Sequence, residues 1–177
     1  MRILFLLLLI LCFSCEKQLE PCLGVRCNNG YCDDGDCFCN VSYTGINCEE
    51  QKTPSKMIFR RVIFFNLPSV RPDSSTWDLD GTIDPYLLIK DGSRELYRTE
   101  YERDVTNFQY FSYFMYLRIL QVENQLSLHI VDNDLHEEEI ICEFSFLPYT
   151  KDNGFPEQLK FEDERGTKLL IEVMYEF

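Results

Sequence analysis

Six cysteines lie between Cys22 and Cys48 at the spacing C-x4-C-x4-C-x4-C-x-C-x8-C. A stretch this short cannot bury enough apolar surface to offset the entropy of ordering it, so cross-links must restrict the unfolded chain instead. The cysteines then serve as its core, and they place the chain in an oxidising compartment. Closely spaced cysteines can also hold zinc inside a cell, but the amino terminus argues against that. Arg2 is followed by the apolar run Ile3 to Leu11 and then Cys12-Phe13-Ser14-Cys15, the layout of a secretory signal. The run is too short to cross a bilayer as a helix.

The cysteine stretch carries further signals. Asn29-Gly30 precedes Cys32, and Cys37-Phe38-Cys39 is followed by Tyr43, Gly45 and Cys48. On these residues it resembles the epidermal growth factor (EGF)-like domain. Spacing alone cannot choose among the pairings open to six cysteines; the resemblance implies Cys22–Cys32, Cys27–Cys37 and Cys39–Cys48. Cleavage before Cys15 resembles a bacterial lipoprotein signal, with the Cys15 thiol as lipid acceptor, although Cys12 stands where Leu is usual. Lipidation of Cys15 leaves Cys142 as an unpaired thiol; without it, Cys15 and Cys142 could pair. The expected layout is a signal peptide over 1–14, a tether over 15–21, an EGF-like domain over 22–48, a polar linker over 49–55 and a larger domain over 56–177.

The larger domain reads as all β. Residues 57–65, 86–90, 111–120, 126–131, 140–146 and 168–177 are runs rich in β-branched and aromatic residues, divided by polar or Gly- and Pro-bearing breaks. No sustained helical period interrupts them. Strands recurring without helices predict an antiparallel sandwich of about eight strands in two sheets.

Its acidic residues are unevenly spread, with two clusters in loops. Asp78-Leu79-Asp80-Gly81-Thr82-Ile83-Asp84-Pro85-Tyr86 leads into one strand, and Val131-Asp132-Asn133-Asp134 followed by Glu137-Glu138-Glu139 joins two others. Crowded carboxylates repel one another unless a cation offsets them, and calcium accepts six to eight oxygens from flexible loops. On these two motifs the domain resembles the C2 domain, the calcium- and phospholipid-binding sandwich. The resemblance implies Asp78, Asp84, Asp132, Asp134 and Glu139 as ligands for one or two calcium ions, with Leu79, Ile83 and Leu135 as tips that enter a membrane. Glu139 stands where that family usually has Asp, and the second loop is about one residue short. The bland alternative is a solvated acidic face, since the whole chain carries a net charge of −13.

That charge disfavours nucleic acid as a partner. Catalysis finds no foothold: the two histidines, His129 and His136, belong to no HExxH motif, and there is no GxSxG or phosphate-cradling loop. The expected function is a lipid-anchored, extracytoplasmic, non-enzymatic binding protein of the outer membrane or cell surface. Its C2-like domain would bind calcium and engage a membrane through phospholipid headgroups, or a glycan or envelope protein. A calcium-independent adhesive protein and a non-catalytic subunit of an exported enzyme are the alternatives.

Overall fold

The computed structural model describes residues 21–78, 81–106, 108–133 and 138–177. The signal segment, Cys15, Leu79, Asp134 and Leu135 lie outside the described residues. The chain divides into two compact units, with the boundary between Lys52 and Thr53.

The first unit is a small cysteine-rich module. Strands β1 (Gly30–Asp33) and β2 (Asp36–Cys39) form a hairpin, and β3 (Tyr43–Thr44) pairs with β4 (Glu50–Gln51). The β1–β2 turn is Asp34-Gly35, with φ of 47° and 91°. Two left-handed residues in a two-residue loop match the twist of the flanking strands, and Asp-Gly supplies them at low cost. Gly30 is needed for a different reason: a Cβ there would sit 2.2 Å from the Phe38 carbonyl oxygen. The disulfides join Cys22 to Cys32, Cys27 to Cys37 and Cys39 to Cys48, the connectivity that the resemblance implies. They stand in for a core, because Leu23, Tyr31, Val41 and Ile46 are each at least 65% exposed.

The second unit is an antiparallel sandwich of two four-stranded sheets. Its strands are β5 (Lys56–Phe65), β6 (Pro85–Asp91), β7 (Arg94–Arg98), β8 (Tyr110–Ile119), β9 (Leu126–Asn133), β10 (Glu138–Phe146), β11 (Gln158–Glu162) and β12 (Lys168–Glu176). One sheet has the order β10-β9-β6-β7, the other β11-β12-β5-β8. The inward residues of both sheets make one core, including Phe59, Phe64, Leu87, Ile89, Leu128, Ile130 and Ile171. Aromatic pairs stitch the layers: Phe59 lies 6.3 Å from Phe146 and Phe64 lies 6.4 Å from Phe144. Six strands coincide with the apolar runs. The remaining two, β7 and β11, are short outer strands in which three of five residues are polar; they form no apolar run, although β11 alternates with a period of two.

Two bulges set local directions. In β5 the register shifts between Phe59 and Arg61, so both Arg60 and Arg61 turn away from the core although the strand is otherwise apolar. In β10 it shifts between Ile140 and Cys142. Consecutive Ile141 and Cys142 are therefore both buried, while Ile140 is 54% exposed. Burial pushes the Cys142 thiol up to about 12, and without thiolate it is a poor nucleophile. Iodoacetamide at neutral pH is expected to leave Cys142 unmodified in the native protein and to alkylate it in denaturant, as mapped by peptide mass spectrometry. Native-state labelling would show that the strand opens.

His129 on β9 supplies a pH dependence. Its Nε2 lies 2.9 Å from Ser127 Oγ and its Nδ1 is 3.8 Å from the Glu143 carboxylate of β10. Burial depresses its pKa, with Lys90 of β6 adding to the effect, and Glu143 opposes them. A histidine whose folded pKa is lowered stabilises the protein above its unfolded pKa of about 6.5. As pH falls below that value the unfolded chain takes up the proton first, and the stability is lost towards the folded pKa. Urea midpoints are expected to fall over this window, and His129→Gln should flatten that part of the curve.

Candidate functional site

The acidic edge of the sandwich is built by two strands distant in sequence. β6 begins at Pro85 and β9 runs out through Asp132, and these residues are paired across the sheet. The antiparallel register therefore brings Asp84 beside Asp132. The Asp84 N–H donates to Asp132 Oδ1 at 2.6 Å, and the Asn133 N–H donates to the Asp84 carbonyl at 3.1 Å. The Asp104 N–H, from the connection after β7, donates to Asp84 Oδ1 at 2.7 Å. Each carboxylate thus gives one oxygen to a backbone donor, which fixes its direction. Asp132 is fully buried, a position in which a carboxylate is tolerated only when it is hydrogen-bonded or paired.

The other expected site residues divide. Asp78 lies in the first loop, where its carbonyl accepts the Gly81 N–H at 3.0 Å and Gly81 takes φ 79°. Glu139 stands directly across β10–β9 from Asp132, and it is held by Arg71: the Arg71 Nε donates to Glu139 Oε2 at 2.8 Å, and Nη2 reaches the same oxygen. Ile83 is a correction. It is 0% exposed and forms a backbone bridge with Val105, its N–H donating to the Val105 carbonyl at 3.0 Å and its carbonyl accepting the Val105 N–H at 2.8 Å. A residue packed in the core cannot serve as a membrane tip. Its position next to Asp84 suggested the loop tip, but the bridge draws it inward.

The donor set suits a hard cation. Asp78, Asp84 and Asp132 offer carboxylate and carbonyl oxygens, with neither thiol nor imidazole among them, which fits calcium rather than zinc or copper. Among the described residues, no three carboxylate, imidazole or thiol groups stand close enough to hold an ion by themselves. Completion of a shell would fall to the loop residues beyond them and to the oxygens of a ligand.

Beside this edge is a cleft of about 470 Å³ lined by Tyr86, Arg98, Tyr101, Arg103 and Asn133. The Arg98 guanidinium lies over the Tyr86 ring at 4.7 Å and that of Arg103 over Tyr101 at 5.7 Å. Arg98 also bridges Glu95 at 3.0 Å and Glu138 at 3.2 Å. The Glu138 carboxyl is held below its ordinary pKa, first by the Tyr86 hydroxyl and then by Arg98. Arg103 feels the negative charge of Asp84 and Asp104. Arg71, Arg98 and Arg103 escaped the sequence reading because isolated arginines in loops and an outer strand form no local motif.

No protein-family model matches the chain, and no curated protein sequence does. Solved structures do match. One described as the structure of a C2 domain is 18% identical, with a TM-score of 0.45, covering 69% of this chain and 98% of its own. A structure of human GIVD cytosolic phospholipase A2, in complex with methyl gamma-linolenyl fluorophosphonate inhibitor and terbium chloride, is 20% identical with a TM-score of 0.50. That match covers 70% of this chain but 17% of the phospholipase chain. The likeness shows the fold: an eight-stranded antiparallel sandwich of C2 type.

Proposed function

We propose that this chain is an extracytoplasmic, lipid-anchored binding protein without chemistry of its own, in which an EGF-like module precedes a C2-like domain that binds calcium and, through it, anionic phospholipid. The observation that carries the reading is the Asp84–Asp132 pair: two oriented carboxylates on one sheet edge, one of them fully buried. Calcium there would offset their repulsion. Its remaining coordination positions would be open to headgroup oxygens, and Arg103 in the adjoining cleft gives the phosphate a cationic neighbour. Leu79 and Leu135 are the tip candidates, and Cys15 the acceptor of the anchor that would hold the chain on the outer membrane or cell surface.

The test uses the mature chain carrying Cys15→Ser, which removes the lipid acceptor. Its melting temperature is expected to rise as calcium approaches the millimolar range in which extracellular sites work. It should then sediment with phosphatidylserine vesicles in calcium, and neither in chelator nor with phosphatidylcholine alone. No thermal shift would sink the calcium reading. A shift without sedimentation would leave calcium in place and direct the site to a protein or glycan partner. The anchor is tested separately, by the mass of the mature amino terminus of the unaltered protein.

A further inference from the structure

We propose that the open edge of β8 receives an acidic, extended peptide segment of another protein as an added strand, independently of calcium. β8 is the last strand of its sheet, and no described strand pairs with its second edge. Proteins commonly blunt such an edge by shortness, Pro or charged residues. β8 runs for ten residues, YFSYFMYLRI, and its one charge is Arg118 near the end. The other three outer strands, β7, β10 and β11, each carry two charges or more. From Tyr110 to Phe114 the strand keeps unbroken register with β5, so its outer N–H and C=O groups form a regular template for a further strand.

Two arginines on the outward face choose the charge of the guest. Arg61 of β5 is level with Glu172 of β12 on one side and with Phe114 of β8 on the other. It turns to β8: its guanidinium lies 4.7 Å from the centre of the Phe114 ring, and Nη2 donates to the Tyr110 hydroxyl and, at 3.3 Å, to Ser112 Oγ. The Arg118 guanidinium lies over the Tyr116 ring at 5.3 Å. The chain has 30 acidic residues against 17 basic, and Arg71, Arg94 and Arg98 each bridge a carboxylate. Among the described residues, Arg61 and Arg118 bridge none. Rings and hydroxyls hold these two guanidiniums in place without neutralising them, which leaves a planar donor fork suited to a carboxylate. Phe114 and Tyr116 stay 75% and 63% exposed. Exposed Phe and Tyr beside Arg, on a strand without Lys, have the composition of a protein interface, whereas recruitment to anionic lipid relies on clustered Lys and Arg. Side chains on an added strand alternate between faces, so acidic residues at every second position would all fall on the side of the guanidiniums.

Fluorescence anisotropy of the mature chain carrying Cys15→Ser, in chelator, tests this with a labelled peptide of four Glu-Val repeats. The peptide is expected to bind with a Kd below about 1 mM, and one of four Lys-Val repeats should not bind. Arg61→Gln combined with Arg118→Gln should weaken binding by about tenfold or more. Of two Glu-Val peptides methylated at the Glu or at the Val backbone nitrogens, one should lose binding, since every second N–H of an added strand faces the edge that it joins. Hydrogen exchange should slow over 110–119 when the unmethylated peptide is bound. Absence of binding, unchanged binding by both methylated peptides, or unchanged binding by the arginine variant would overturn the proposal. So would sedimentation with phosphatidylserine vesicles in chelator that the arginine variant loses, which would give this face to a membrane, or a dimer of the free chain in light scattering that the arginine variant loses, which would give it to a second copy. Should the combined variant fail to fold, Arg118→Gln, at an exposed position, and the methylated peptides decide the matter.

Discussion

Asp132→Asn is expected to abolish the calcium-dependent rise in melting temperature while leaving the calcium-free protein folded. Asparagine has nearly the shape of aspartate and keeps a carbonyl oxygen for the Asp84 N–H that Asp132 Oδ1 accepts at 2.6 Å. What it removes is a negative charge that is fully buried beside a second carboxylate. Without calcium, the retained acceptor should keep the melting temperature close to that of wild type. With calcium, wild type should gain about 2.7 kcal/mol at a hundredfold excess over its Kd. That corresponds to roughly 10 °C for a domain of this size; the variant should gain nothing. Asp132→Ala separates the two roles, because it also strips the acceptor from Asp84 and should cost about 1–3 kcal/mol with or without the ion. A calcium shift that survives in Asp132→Asn would place the ion elsewhere.

Removing the Cys39–Cys48 disulfide by paired serine substitutions is expected to unfold the cysteine-rich module and spare the sandwich. A lost disulfide in a small secreted domain costs about 2–5 kcal/mol and often abolishes folding. This module has little to set against that loss. Its apolar side chains are mostly exposed, Ile46 to 83%, and Cys48 is its one fully buried hydrophobic residue among those described. Its hairpins are too short to be stable alone. Hydrogen exchange read by mass spectrometry should show protection lost over 22–48 and kept over 56–177. Retained protection over 22–48 would mean that local hydrogen bonds, such as Asn29 Nδ2 to the Cys48 carbonyl at 3.0 Å, hold the module without the bridge.

How far the sequence could be read depended on whether a feature was local. The six-cysteine spacing and the six apolar strands are written in residues next to one another, so they were legible. Strands β7 and β11 were not, because each has five residues of which only two are apolar, too few to stand out as an apolar run. Ile83 looked like a loop tip by its neighbours, yet Val105 pulls it into the core. The aspartates were legible as residue types in loops. Their meeting was not, since it depends on β6 and β9 being adjacent.

By itself, then, the sequence determined the chemistry available: an oxidised six-cysteine module, an all-β domain and two acidic loops, each set by composition and short-range pattern. Tertiary structure decided which of these groups act together. Sheet register placed Asp84 against Asp132, and the β10 bulge turned Cys142 inward. The fold of the first loop carried Arg71 across a gap of 68 residues to Glu139. The physical reason is the same in each case. A carboxylate's partner is chosen by distance in space, and in an antiparallel sandwich that distance is set by strands that the chain lays down far apart.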